Sequence, residues 1–195
     1  IPVTSVLGHM LVVAALTYFA LQDTDACEQR IVNGFWGGLF HDLPEVLTRD
    51  ITTPVKKSVE KLDELIKKYE KEQMEEKLFP LLPTKWHQDF QYYTEDEFSN
   101  RVIIDNKIQT GLTYEELDRD HNLAEHHPID GEIIRACDNL AAFIEASLSI
   151  RHGVTSRHLD EGVDRLIKIY RDKSVGPVDF GQIFRAFMPA TVKMP

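Results

Sequence analysis

One stretch constrains the fold of this chain more than any other. It reads EIIRACDNLAAFIEASLSI, and its apolar residues fall on one helical stripe: Ile133, Cys137, Leu140, Ile144 and Leu148. Apolar residues at intervals of three and four form one face of an α-helix, whereas a strand would alternate with a period of two. A chain with this stretch must bury a long helix face against other helices.

Other segments repeat the helical pattern. We predict helices over residues 4–22, 29–40, 55–78 and 156–172, of which the second is short, and one more short helix in the C-terminal stretch VDFGQIFRAFMP. Within the second of these, Gly34, Gly37 and Gly38 weaken the helix and indicate close backbone packing. We identify no strand with convincing period-two alternation. The sequence therefore predicts an all-α helical bundle.

The chain length favours one domain. At 195 residues it can bury a sizeable core but is short for two domains. We predict a single domain over residues 1–195, with residues 79–130 as an irregular insertion, because prolines and mixed polar residues interrupt the helical pattern there. Since Ile1 is not methionine, we expect that an upstream segment is missing.

Charge and cysteine content narrow the class of partner. The formal net charge of -10 argues against nucleic acid, because proteins that bind nucleic acid carry a basic face. The apolar run from Met10 to Leu21 is too short to cross a bilayer, so no membrane partner is expected. Cys27 and Cys137 fit no metal-binding spacing and indicate reduced thiols of a cytoplasmic protein. The sequence leaves open whether the protein forms a homodimer.

Four polar residues are predicted to face the interior of the bundle. His9 shares a helix face with apolar residues, and Asp138 lies beside the apolar stripe of the long helix. A buried carboxylate without a partner costs several kcal/mol, and no Lys or Arg lies on that face. His41 and Asp42 follow another apolar run and precede Pro44, which can end a helix.

One divalent metal ion would explain all four residues. Imidazole and carboxylate groups are ligands for Mn, Co, Fe, Ni and Zn. Taken singly, each residue has a structural alternative: His9 as a hydrogen-bonded core histidine, Asp42 as a helix cap, and Asp138 as a partner of a backbone amide. We favour the metal because one bound ion explains all four residues, whereas the alternative needs a separate structural role for each residue in the same core.

These residues resemble a known family. The order His9, then His41-Asp42, then a distant Asp138 is similar to the HD superfamily of metal-dependent phosphohydrolases. The segment HDLPEVLTRDITTPVK resembles the HDxxEVxxGDxxTPVK motif of bacterial 5'-deoxynucleotidases of the YfbR-like branch. The resemblance covers roughly residues 4–155. It implies a helical bundle around one divalent ion, which would be Mn, Co, Ni, Fe, Zn or Mg.

The resemblance also implies roles for residues after the His-Asp pair. Glu45 matches the catalytic carboxylate of the family, which orients the attacking water or takes its proton. Asp50 matches a position near the nucleotide sugar, Lys56 is a phosphate contact, and Thr48 is one turn from Glu45. Thr48 and Asp50 have an alternative role as helix caps, and Lys56 as a solvated lysine.

The chain departs from the family pattern in two places. Arg49 replaces a glycine of the motif and either adds a phosphate contact or narrows the pocket. The segment 79–130 also carries extra histidines: His87, His121, His126 and His127. Histidines of this kind bring a second metal in the HD-GYP phosphodiesterases, but the Gly-Tyr-Pro motif is absent here and solvated histidines are the simpler expectation. Glu125 is a candidate acid near the pocket.

Three functions remain open at this stage. The first is a metal-dependent phosphomonoesterase that acts on (deoxy)nucleoside 5'-monophosphates through a metal-activated water. The second is a phosphodiesterase or nucleoside triphosphate hydrolase of the same superfamily, and the third is a non-catalytic regulatory domain that binds nucleotide or metal. Glu45 favours an enzyme, because a pure binding site has little use for that carboxylate. The expected partner is a small phosphorylated metabolite, such as a nucleotide.

Overall fold

The computed structural model describes residues 5–48, 62–154 and 156–188. The α-helices are α1 (Val6–Gln22), α2 (Glu28–Phe40), α3 (Glu45–Thr48), α4 (Leu62–Gln73), α5 (His87–Thr94), α6 (Tyr114–His121), α7 (Gly131–Arg151), α8 (Arg157–Tyr170) and α9 (Phe180–Ala186). The strands are β1 (Arg101–Ile104), β2 (Lys107–Thr110), β3 (Ser174–Val175) and β4 (Val178–Asp179). A π-helical turn at Met74–Leu78 continues α4. Short 3-10 turns lie at Phe79–Leu81, Thr84–Trp86 and Ala124–His126.

The predicted all-α class is confirmed. Helices α1, α2, α8 and α9 surround or flank the long helix α7, and their apolar faces form one core. Its fully buried members include Val13, Leu21, Ile133, Leu140 and Phe143. The predicted helices match α1, α2, α4, α8 and α9 to within a few residues where the structure describes them. Amphipathic periodicity therefore located the main helices correctly.

Helices α1 and α2 pack closely enough to bring their polar ends together. A Cβ atom on Gly38 would lie 3.0 Å from the Cα atom of Ala14, and one on Gly37 would lie 2.8 Å from a side-chain carbon of Ile134. A larger residue would therefore push α2 away from α1 and α7. The close packing predicted from these glycines is confirmed, and it places the end of α2 beside α1.

Two short hairpins correct the expectation that the chain has no strands. Strand β1 pairs antiparallel with β2, and β3 pairs antiparallel with β4. The strands contain four or two residues each, which is too short for alternation to stand out in the sequence. The first hairpin lies within the segment 79–130, which also contains α5 and α6.

Among the described residues, no helix combines the length and apolar character that a membrane crossing requires.

A buried ion pair joins α2 to the start of α7. Arg30 is fully buried, and its Nε and Nη2 atoms each donate a 2.7 Å hydrogen bond to the carboxylate of Asp130, which is also fully buried. The Nη1 atom of Arg30 donates to Asp118 at 2.7 Å. Burial raises the pKa of Asp130, and the charge of Arg30 opposes that rise. The pair holds α2 in register with α7.

We expect the variant Asp130→Ala to lower the free energy of unfolding by about 3–5 kcal/mol, because it leaves the Arg30 charge buried without its main partner. Asp118→Ala is the matched control, since the Asp118 side chain is 39% exposed and its loss should cost less than about 1 kcal/mol. Urea unfolding followed by circular dichroism measures both. Equal losses in the two variants would contradict the assignment of the pair to the core.

Candidate metal centre

Four potential ligand side chains meet where α1, α7 and the end of α2 converge. His9 lies on α1, Asp138 lies on α7, and His41 and Asp42 lie in the turn after α2. One ligand atom from each residue lies within 4.8 Å of the ligand atoms of the others. The structure therefore brings together the four residues predicted as metal ligands, although α1 and α7 are far apart in the sequence.

The turn after α2 explains how two adjacent residues face one point. Helix α2 ends at Phe40, and the backbone then forms a turn in which Leu43 donates to the Phe40 carbonyl and Glu45 donates to the Asp42 carbonyl, both at 3.0 Å. Consecutive residues of a regular helix point about 100° apart, so a helix end is needed for both side chains to converge. Pro44 lies within this turn, as the sequence predicted.

His41 is oriented so that one ring nitrogen stays available for a ligand. Its side chain is fully buried, and Nδ1 donates a 2.8 Å hydrogen bond to the Gly38 carbonyl. Its Nε2 lies 3.2 Å from Asp42 Oδ2 and 3.8 Å from Asp138 Oδ1, but makes no regular hydrogen bond to any described residue. A histidine ligand usually donates its other nitrogen to a carbonyl or carboxylate in this way. A divalent ion fits at Nε2.

His9 has the same arrangement with a different partner. Its Nε2 lies 3.0 Å from Asp138 Oδ1, and its Nδ1 lies 3.4 Å from Glu145 Oε1. Glu145 can therefore accept a hydrogen bond from Nδ1 of His9, which leaves Nε2 available to the ion. The sequence interpretation missed Glu145. Its position seven residues after Asp138, two turns along the same face of α7, is a signal that would have identified it.

The carboxylates of the cluster favour protonated imidazoles. Burial lowers the pKa of His41, but Asp138 and Asp42 outweigh that effect and raise it to about 10. The contact with Asp138 also raises the pKa of His9. Burial raises the pKa of Asp138, but His41 and His9 lower it to about 2. The cluster is thus built to hold positive charge between its carboxylates, and a divalent ion can take the place of the imidazole protons.

His41 and Asp42 of the cluster line a cavity of about 450 Å³, whereas His9 and Asp138 are not part of its lining. His41, Asp42, Pro44 and Glu45 form one wall, and the rest comes from α4 and the turns that follow it, from α5, and from the loop after α5. Helix α4 contributes Lys67, Lys68 and Lys71 to the lining. Glu45 begins α3 and is partly buried at the cavity wall. Glu45 thus lines the same cavity as two of the candidate ligands, and its catalytic role stays a prediction.

The other predicted substrate residues have different outcomes. Thr48 is the last residue of α3, and its hydroxyl donates to the Pro44 carbonyl at 3.3 Å. It is not among the residues that line the cavity. Asp50 and Lys56 lie outside the described residues, as does Arg49. Their contacts with substrate therefore stay predictions.

The additional histidines lie elsewhere. His87 Nε2 is 2.9 Å from the Phe79 carbonyl, and the His87 ring stacks on Phe79. His121 and His126 face each other with 3.2 Å between their Nδ1 atoms. In the part of the chain that the structure describes, only the cluster around His41 brings three or more potential ligands together. Glu125 is exposed and does not line the 450 Å³ cavity.

We expect Glu145→Gln to weaken metal binding about 10- to 100-fold, because loss of the carboxylate that orients a histidine ligand typically has this effect. Glu132→Gln is the matched control: it also lies on α7, is exposed, and has no contact with the four ligands. Competition with a fluorescent chelator measures the dissociation constant of Mn²⁺ or Zn²⁺ for each variant. Unchanged affinity in Glu145→Gln would contradict its role at His9.

Comparison with known proteins gives one match. A family model described as HD domain matches residues 1–167, which include all four candidate ligands, Glu45 and Glu145. No significant match was found among curated proteins, and none among solved structures. The match spans α1 to most of α8, so it covers the whole of the cluster and the walls of its cavity.

Proposed function

The chain belongs to the HD domain family, and from that premise we propose that it is a phosphomonoesterase acting on (deoxy)nucleoside 5'-monophosphates. The family indicates a metal-dependent phosphohydrolase in general. The observation that carries the proposal is the cluster of His9, His41, Asp42 and Asp138. Two of its members, His41 and Asp42, share a cavity wall with Glu45. A binding site alone would not require that additional carboxylate.

The four clustered residues would hold one divalent ion. The chemistry supplied by a bound ion in such a site is Lewis-acid chemistry, which lowers the pKa of water and offsets charge on the phosphoryl group. Two imidazole nitrogens and two carboxylates would supply four ligands, so an ion that takes six ligands would also accept water and substrate. Gly38 and Glu145 keep the two histidines in the orientation that presents Nε2.

Glu45 is the proposed catalytic base. It follows Asp42 by three residues, and its backbone amide is hydrogen-bonded to the Asp42 carbonyl. This bond fixes the start of α3 against the His-Asp turn, so the Glu45 side chain shares the cavity wall with His41 and Asp42. A carboxylate held there can orient the attacking water and accept its proton as the phosphate ester is cleaved.

The size of the cavity supports a small-molecule substrate. A volume of about 450 Å³ lies within the range of small-molecule sites and is modest for a polymer. Three lysines of α4 are also among the lining residues, and each pairs with a carboxylate. The nucleotide assignment comes from the similarity of HDLPEVLTRDITTPVK to the deoxynucleotidase motif, and it includes Thr48, Asp50 and Lys56 as substrate contacts.

The free thiols of Cys27 and Cys137 support a cytoplasmic location.

A substrate screen tests the proposal. Release of phosphate is measured from nucleoside and deoxynucleoside mono-, di- and triphosphates, and release of nitrophenol from a bis(nitrophenyl) phosphodiester, each with Mn, Co, Ni and Mg. We expect 5'-monophosphates to be hydrolysed with the highest kcat/KM. Faster hydrolysis of triphosphates or of the diester would identify another enzyme of the superfamily. Nucleotide binding without hydrolysis under any condition would indicate the regulatory function instead.

A further inference from the structure

Arg135 is an exposed arginine without an acidic partner. Among the described residues, no carboxylate lies within ion-pair distance of its guanidinium, whereas Arg119, Arg157 and Arg171 each pair with a neighbouring carboxylate. The Cζ atom of Arg135 instead lies over the ring of Phe98, 5.1 Å from its centroid. A guanidinium held on an aromatic face keeps its N–H donors free at the edge of the plane.

This arginine lies beside the metal centre. Arg135 precedes Asp138 by three residues on α7, and residues with that spacing are neighbours on a helix surface. The expectation that no Lys or Arg lies on the face of Asp138 was therefore wrong. The Phe98 ring, on which the guanidinium rests, lies 5.9 Å from the ring of His41, measured between centroids. Arg135 is thus connected to the candidate ligands both along α7 and through Phe98.

A second cavity, of about 380 Å³, includes Arg135 and Phe98 in its lining. It shares Lys67, Asp96 and Glu97 with the wall of the 450 Å³ cavity, so the two cavities adjoin. The Nζ atom of Lys67 lies 3.7 Å from Glu97 Oε2 and 3.9 Å from Asp96 Oδ1. The Lys67 charge therefore offsets part of the negative charge of these two carboxylates.

Most other polar groups of the second cavity already have partners. The Asn100 side chain donates to the Leu112 carbonyl and accepts from the Glu132 amide. Ser99 Oγ accepts from the Gly111 amide. The Glu132 carboxylate belongs to the first turn of α7, where the helix dipole favours a negative charge. The donors of Arg135 therefore stay available to a ligand.

The charge of the metal centre requires such a donor. Asp42 and Asp138 together with Glu45 and Glu145 bring four carboxylates to the centre, and one divalent ion offsets only two of them. A phosphate dianion would meet net negative charge unless further cations bind it. A guanidinium presents two parallel N–H donors that match two phosphate oxygens. We propose that Arg135 binds the phosphate group of the substrate beside the metal centre.

This inference rests on the proposed function only in that the substrate carries a phosphate. Inorganic phosphate is the probe, and its affinity for the metal-loaded protein is measured by isothermal titration calorimetry. We expect Arg135→Ala to bind phosphate about 10- to 100-fold more weakly and to keep its metal. Arg135→Lys should fall between, because it keeps the charge and loses the paired donors. Arg165→Ala is the matched control, since Arg165 is exposed on α8 and lines neither cavity.

Chemical rescue separates a direct contact from a general loss of charge. Added guanidinium ion should restore part of the phosphate affinity of Arg135→Ala and leave Arg165→Ala unchanged. Wild-type affinity in Arg135→Ala, or no phosphate binding by the wild type, would overturn the inference. Hydrolysis of nucleotides with normal kcat/KM in Arg135→Ala would overturn it too, while the proposed function stands. If no nucleotide is hydrolysed but Arg135→Ala alone loses phosphate, the proposed function fails and the inference stands.

Discussion

Glu45→Ala is expected to lower turnover by about 10²- to 10⁴-fold, because a positioned general base typically contributes that much to the rate. This corresponds to about 3–5 kcal/mol of activation free energy. Glu45 lies at the cavity wall with His41 and Asp42 but outside the cluster of four ligands. Metal content and substrate affinity should therefore stay close to those of the wild type while kcat falls.

Two further variants sharpen this test. Glu45→Gln keeps the shape and removes the charge, so it should be nearly as slow as Glu45→Ala if proton transfer matters, and faster if the residue only orients water. Glu72→Ala is the control, since Glu72 lies on α4 outside the cavity lining and pairs with Lys68. Steady-state phosphate release and metal analysis are measured together. Full activity in Glu45→Ala would refute the catalytic role, and loss of metal would make Glu45 a ligand.

The double variant His41→Ala/Asp42→Ala is expected to lose about one equivalent of divalent metal and with it all measurable hydrolysis. It removes two of the four ligands, and the remaining pair of His9 and Asp138 is too few to hold an ion in a catalytic site. Added Mn²⁺ or Zn²⁺ should raise the melting temperature of the wild type, because an ion that binds only the folded state stabilises it. The double variant should show a much smaller rise.

Elemental analysis of protein purified without chelator measures the bound metal directly. His121→Ala is the matched control: it removes a histidine that pairs with His126 and has no contact with the cluster, so its metal content should equal that of the wild type. Equal metal in the wild type and the double variant would show that these residues do not form the site. Metal loss in His121→Ala would indicate a second site in the segment 79–130.

Short local patterns in the sequence predicted the four residues that meet at the metal centre. The helical phase of His9 and Asp138 pointed both side chains toward the interior, because residues three and four apart share a face. Pro44 indicated the helix end that lets His41 and Asp42 converge. Both signals lie within a few residues of the side chains concerned, so they can be interpreted without knowing which helices pack together.

The hairpin of β1 and β2 could not be predicted in the same way. Its strands are four residues long, and β2 is exposed throughout, so no buried face imposes alternation. Pairing there depends on backbone hydrogen bonds, which do not specify side-chain identity. The buried Arg30 was hidden for a related reason, because its partner Asp130 is 100 positions away.

The sequence by itself determined the all-α class, the inward faces of α1 and α7, and the His-Asp turn, because each depends on the order of nearby side chains along a helix. Only the tertiary structure decided that Glu145 supports His9 across 136 positions, that Phe98 lies between Arg135 and His41, and that α4 closes the cavity. These contacts join elements distant in sequence. They depend on how the helices pack against one another, which no local periodicity specifies.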